Sequence, residues 1–261
     1  YAPGVSADGS VVVGTGTRSP TGGIEPFIWT ESSGVVPLDA LPPGATSGYA
    51  VEISADGTVV AGGISGFGIQ GTRWTASTGI VPLGDLASDQ PPPGTSVSGM
   101  SADGRTLVGY STANGSLGAV AWIEGRGWIP LAGASRFHTT FAYDVDANGS
   151  TIVGEDFTNE PGGEVQSRAT IWTERDGTRL LQDVLTNVYG IDLTGWRLFS
   201  ATAISDDGLT IVGNGLNPSG IAEGWVAVIP EPSTALLLTL GMLVLSGRRS
   251  PGPRPGFDRS V

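Results

Sequence analysis

Ile53-Ser54-Ala55-Asp56-Gly57-Thr58-Val59-Val60-Ala61-Gly62 spells two short strands joined by a tight turn. Asp-Gly supplies the positive φ that such a turn demands, and the β-branched run after it suits a pleated, half-buried strand. The signature recurs at Val5-Ser6-Ala7-Asp8-Gly9 and Met100-Ser101-Ala102-Asp103-Gly104. Looser copies stand at Val145-Asp146-Ala147-Asn148-Gly149 and Ile204-Ser205-Asp206-Asp207-Gly208, at successive spacings of 48, 47, 45 and 59 residues. Each copy runs into an apolar stretch that closes on glycine, at Gly14, Gly62, Gly109, Gly154 and Gly213. A tryptophan follows in every case, at Trp29, Trp74, Trp122, Trp172 and Trp225. The first four copies then end on Val36-Pro37-Leu38, Val81-Pro82-Leu83, Ile129-Pro130-Leu131 and Leu180-Leu181.

These are five units, starting near residues 1, 49, 96, 141 and 200. Each predicts a strand, a turn, a strand, a variable loop, a Trp-bearing strand, a glycine turn and a last strand. Four antiparallel strands in a repeat of 40 to 50 residues is the size of a propeller blade. The expected fold class is therefore all-β: a β-propeller-like repeat domain over 1–229 with about five blades of four strands, the fifth stopping after Gly224-Trp225-Val226-Ala227-Val228 without its fourth strand. A lone sheet cannot bury both faces, so the units must stack, with the repeated Trp packed between neighbours. A truncated larger propeller and a non-closing stack of sheets are the alternatives. The residues expected to hold the repeat are Asp8, Gly9, Trp29, Asp56, Gly57, Trp74, Asp103, Gly104, Trp122, Asn148, Gly149, Trp172, Asp207, Gly208 and Trp225. With its Ser-x-Asp-Gly turns, the Val-Gly strand ends and the Trp-Thr pairs at Trp29-Thr30, Trp74-Thr75 and Trp172-Thr173, the unit resembles the HAF family of extracellular repeats. Tyr49-Ala50 and Ala142-Tyr143 stand near the place of that family's His-Ala-Phe triplet. The resemblance implies an extracellular protein and brings no catalytic residue with it.

The composition agrees with this fold, since 42 Gly and 18 Pro among 261 residues suit many turns better than long helices. Without cysteine, neither a disulfide nor a thiolate metal site can form. The single histidine, His138, excludes a multi-histidine metal site. A net charge of −12 repels nucleic-acid phosphates, so no nucleic-acid partner is expected. The chain opens at Tyr1 without the charged-then-apolar leader that export requires, so a trimmed or fragmentary start is expected.

The C-terminal stretch has a different character. Ile229-Pro230-Glu231-Pro232-Ser233-Thr234 precedes an uncharged run, 235–245, and then Arg248-Arg249. The stretch 230–249 is expected to carry a single hydrophobic transmembrane helix; counted from 233 to 247, the apolar segment is about fifteen residues long, short of the roughly 20 that span a bilayer comfortably. Thinning of the membrane and snorkelling arginines can make up the difference. Arg248, Arg249, Arg254 and Arg259 follow it, which places 250–261 in the cytoplasm and everything before Pro230 outside. Pro-Glu-Pro, apolar segment and arginine cluster in this order resemble the PEP-CTERM sorting signal of bacteria. That resemblance implies cleavage near Pro230, Glu231, Pro232 and Ser233 by an exosortase, with Arg248 and Arg249 as the basic end of the motif. The expectation is an exported protein held transiently in the inner membrane through 233–247, and then placed on the cell surface or released.

Chemical motifs are few. Asp144, Asp146, Asn148 and Glu155 match a D-x-[DN]-x-[DN]-G-x5-E calcium loop, whose oxygen ligands suit a hard cation. The same residues also occupy the repeat's turn, so a plain hairpin is the competing reading. Calcium is the one cofactor the sequence suggests. Trp128, Trp196 and Phe137 could form an aromatic sugar platform. A Gly-x-Ser-x-Gly elbow, a phosphate-cradling Gly-Lys-Ser/Thr and a His-based metal motif are all missing from the sequence. Adjacent carboxylates such as Glu155-Asp156 and Asp206-Asp207 point to opposite faces of a strand. No catalytic residue is assigned. The expectation is a non-enzymatic binding or structural protein of the surface or of an exopolysaccharide biofilm matrix; an extracellular glycan hydrolase or lyase working through carboxylates is the alternative.

Overall fold

The computed structural model describes residues 1–17, 22–66, 68–86, 94–113, 117–131, 138–158 and 166–230. Residues 1–228 form one compact unit. It consists of five antiparallel sheets, one for each repeat. Sheet one holds β1 (Gly4–Val5), β2 (Val11–Thr17), β3 (Ile24–Thr30) and β4 (Gly34–Pro37). Sheet two holds β5 (Ser47–Ile53), β6 (Val59–Ser65), β7 (Ile69–Thr75) and β8 (Gly79–Pro82). Sheet three is β9 (Thr95–Met100), β10 (Thr106–Ser111), β11 (Gly118–Ile123) and β12 (Gly127–Pro130). Sheet four is β13 (His138–Val145), β14 (Thr151–Thr158), β15 (Gln166–Thr173) and β16 (Gly177–Leu180). Sheet five has three strands, β17 (Arg197–Ile204), β18 (Thr210–Leu216) and β19 (Ala222–Val228). All five are meanders, each strand pairing with the next in sequence.

The signature turn closes on itself. In sheet two, the buried Ser54 hydroxyl accepts the Val59 N–H at 2.9 Å and donates to Asp56 Oδ1 at 2.6 Å. Asp56 Oδ1 also accepts the Thr58 N–H at 3.0 Å, and Gly57 completes the turn at φ 73°. Ser6 with Asp8, Ser101 with Asp103 and Ser205 with Asp207 repeat the arrangement. In unit four an aspartate replaces the serine: Asp146 takes the Ser150 N–H and hydroxyl, each at 2.7 Å, and Asn148 shares that N–H at 2.9 Å. Neighbouring turns are stitched together by backbone bonds, from Ala7 N to Ala55 O, Ala55 N to Ala102 O and Ala147 N to Asp206 O.

The glycine that ends each apolar run has a steric reason. At Gly62, Gly109, Gly154 and Gly213 a Cβ would collide with the carbonyl oxygen of Tyr49, Ser96, Phe141 and Ser200, where the first strand of the sheet bulges across the second. Between sheets the core is aliphatic. Val13 and Leu38 of sheet one meet Ala50, Ile53 and Val60 of sheet two, with Trp74 against them. Val59, Ala61 and Leu83 meet Val97, Met100, Leu107, Trp122 and Trp128. Val108, Ala121 and Leu131 meet Ala142, Val145, Ile152 and Trp172. Each of these tryptophans packs against the preceding sheet.

Two features differ from the expectation. Leu181 does not extend the fourth strand of its unit but opens a helix, α1 (Leu181–Asn187), which buries Leu181, Val184 and Leu185. Trp225 does not occupy the repeat's tryptophan position. Trp29, Trp74, Trp122 and Trp172 pair with Val12, Val60, Leu107 and Ile152, and the residue that pairs with the equivalent Ile211 is Ala227. Trp225 lies two residues earlier, opposite Gly213, where its ring occupies the space a Cβ would need. The missing side chain on Gly213 is what lets an indole settle there.

Candidate functional site

Among the described residues, a cluster of partly buried aromatic rings sits at one end of the first and second strands of sheets two to four. Phe141 on β13 is central to it. Its ring stacks on Tyr143 with centroids 6.1 Å apart and an interplanar angle of 3°. It meets Tyr110 of β10 edge-on at 5.3 Å and Phe157 of β14 edge-on at 5.8 Å. Tyr49 of β5 lies near Tyr110, and its hydroxyl is 3.4 Å from Ser96 Oγ. All five residues are partly buried, and each keeps some surface in contact with solvent. Burial raises the Tyr49 and Tyr143 phenols above their usual range, and Tyr143 is raised further because its hydroxyl donates to Glu155 Oε2 at 2.8 Å. Beside Tyr49 a cavity of about 460 Å³ opens between sheets one and two, lined by Tyr1, Pro3, Thr15, Ile24, Tyr49 and Val51. Partly exposed aromatic rings can pack against the apolar face of a ring-shaped ligand.

The residues suggested by sequence lie elsewhere. Trp128 packs between sheets two and three and donates Nε1 to Gly84 O at 3.1 Å. Trp196 lines a separate cavity beside β19. Phe137 lies outside the described residues, as do loop 159–165, Glu231, Pro232, Ser233, Arg248, Arg249 and the apolar segment 233–247. Among the described residues, no helix is long and apolar enough to cross a membrane. Nothing in the sequence pointed to Tyr110, Phe141 or Phe157, because their meeting depends on strands from two repeats.

The four candidate calcium ligands point in different directions. Asp144 Oδ1 takes the Val145 N–H and its Oδ2 the Ile204 N–H of sheet five, each at 2.8 Å. Asp146 and Asn148 are engaged by Ser150, and Glu155 by Tyr143. Among the described residues, no group of three or more His, Asp or Glu side chains is arranged to hold a metal ion. Glu155 and Asp156 do diverge to opposite faces: the fully buried Asp156 lies 3.5 Å from Arg168 Nη2.

A second acidic group lines the inner strands. Glu52 on β5 is largely buried near Asp144 of β13 and Asp206 of the last turn. Loss of water, reinforced by those two charges, pushes its carboxyl up to about 7, although the Met100 N–H acts in the opposite direction. Asp144 is raised for the same leading reason.

Residues 228–250 match the PEP-CTERM protein-sorting motif. The motif implies an exported protein sorted by an exosortase. None of the curated proteins matches the chain. Solved structures similar to it include a β-propeller domain. TolB from Acinetobacter baumannii shares 13% identity over 88% of this chain and 54% of its own, with a TM-score of 0.52. The β-propeller domain of the Trilobed protease from Pyrococcus furiosus shares 12% over 85% of this chain and 66% of its own, at 0.50. Porphyromonas gingivalis dipeptidyl peptidase 4 shares 10% over 91% and 38%, at 0.53. The chain thus spans about half the length of the TolB it matches, and what it shares with these proteins is the β-propeller-like fold.

Proposed function

We propose that this is a surface or extracellular-matrix binding protein, delivered by an exosortase, whose propeller-like domain recognises polysaccharide through the aromatic cluster around Phe141. The observation that carries this reading is the sorting motif at 228–250 on a chain whose half-buried aromatics gather at the variable-loop end of three adjacent sheets. The partly exposed surfaces of Tyr49, Tyr110, Phe141, Tyr143 and Phe157 pack against sugar rings, and the Tyr143 hydroxyl is held in place by the buried Glu155. The segment 233–247 holds the protein in the inner membrane until cleavage. The repeats belong with the HAF type of extracellular repeat. In this reading the protein is not an enzyme, because the cluster brings in one carboxylate, Glu155, whereas glycan cleavage by carboxylates uses two across the scissile bond.

Binding of the 1–230 product to purified polysaccharide from the native host tests the recognition. Phe141→Ala is expected to weaken binding at least tenfold in a variant whose far-ultraviolet circular dichroism matches that of the parent, and unchanged affinity would reject the site. Intact mass tests the sorting. Protein recovered outside the cell should end near Pro232, and a full-length mass found only in membranes would reject processing.

A further inference from the structure

In four sheets the third strand is paired on both sides; in the fifth, β19 ends the sheet with one edge free among the described residues. Three of the four existing outer strands share one pattern. Gly34–Pro37, Gly79–Pro82 and Gly127–Pro130 are each Gly-apolar-apolar-Pro. Leu38, Leu83 and Leu131 follow them, donating their N–H to the third strand at Pro26 O, Gly71 O and Ala119 O. Their second residue stands opposite the repeat's tryptophan: Val35 against Trp29, Ile80 against Trp74 and Trp128 against Trp122. In sheets two and three both side chains of the pair pack against the preceding sheet.

Sheet five lacks both members of that pair. Ala227 holds the tryptophan position, and no strand lies across from it among the described residues. In their place is a cavity of about 550 Å³ lined by Leu185, Ile191, Leu193, Trp196, Ala227 and Val228 among others. Trp225 Nε1, buried in its wall, has no hydrogen-bond acceptor among the described residues. A free strand edge beside an apolar cavity is the combination that strand addition uses: backbone bonds give affinity and alternate side chains give specificity.

We propose that β19 is a docking edge for an extended segment of another protein, bound antiparallel and carrying Gly-aromatic-apolar-Pro-Leu followed by a basic residue. The register of the other sheets places Gly opposite Val228, the aromatic opposite Ala227 with its ring in the cavity, and Pro opposite Trp225. The sixth residue then faces the exposed Glu223, which selects Arg or Lys. A net charge of −12 works against a second copy of this chain as the occupant.

The test is a titration of the purified full chain with the acetylated, amidated hexapeptide Gly-Trp-Ile-Pro-Leu-Arg, read by calorimetry and by hydrogen exchange of residues 222–228. Saturable binding with protection of the β19 amides is expected. Replacing the peptide's Trp by Ala should weaken it at least tenfold, and replacing its Arg by Glu several-fold. In the protein, Ala227→Trp refills the cavity as the other units do, and should cut affinity for the Trp peptide at least tenfold. The peptide variants carry the test even if that substitution misfolds. Failure to bind at millimolar peptide, binding without protection of β19, or indifference to the peptide's Trp overturns the proposal. So does protection of β19 in the chain without peptide, whether independent of concentration, which assigns the edge to its own chain, or rising with concentration, which assigns it to a second copy.

Discussion

The smallest unit of this structure is a hydroxyl. Ser54 Oγ is fully buried, and it satisfies the Val59 N–H while fixing Asp56 over the turn. Ser54→Ala leaves that N–H buried and unpaired, which should cost about 1–3 kcal/mol in urea unfolding. Ser10→Ala, in the exposed part of an equivalent turn, should stay within about 0.5 kcal/mol. Glu52 makes a prediction of opposite sign. Its folded pKa, near 7, lies above the usual 4.5, so folding favours the protonated acid. The stability it allows is complete below pH 4.5, is lost as pH rises through about 7, and stays lost above that. Glu52→Gln should flatten this slope between pH 4.5 and 7 and stabilise the protein at pH 8, by no more than about 3 kcal/mol. Thermal melts of both proteins across that range would check it; equal slopes would mean that Glu52 titrates normally. These turns were legible in the sequence because every partner lies within five residues. The Glu52 environment was not, since Asp144 and Asp206 come from units two and three places away.

At the scale of elements, spacing carried much of the information. The 59 residues between the last two signatures exceed the others by about a dozen, and that excess holds α1. Leu181, Val184 and Leu185 even show the i, i+3, i+4 spacing of a helix face, a pattern plain in the amino-acid order itself. Leu185→Ala should cost about 2–5 kcal/mol, because the side chain is fully buried. Register was harder to see. Trp225 matches the repeat by residue type and by neighbourhood, yet pairing with β18 sets it two places out of line. The glycines that end each apolar run are also more demanding than their sequence context suggests. Gly154→Ala should destabilise by about 1–3 kcal/mol despite lying in a regular strand, since the carbonyl of Phe141 must move.

For the whole molecule, sequence periodicity revealed five sheets, their strand order and the incomplete fifth. It did not reveal the aromatic cluster, because Tyr110 and Phe141 belong to different repeats and meet only once sheets three and four pack together. The sorting motif, by contrast, is legible because its meaning lies in the order of residues along the chain. The self-contained turns have a kinetic consequence. The serine-bearing turns of units one, two, three and five close through partners five residues apart, so these turns can form from local contacts. Repeat chains of this kind nucleate locally and grow by adding neighbours. A polypeptide threaded across a membrane from its N-terminus can therefore begin folding on the far side with whichever unit emerges first, each finished sheet offering the next an apolar wall, while the apolar C-terminal segment is still inside.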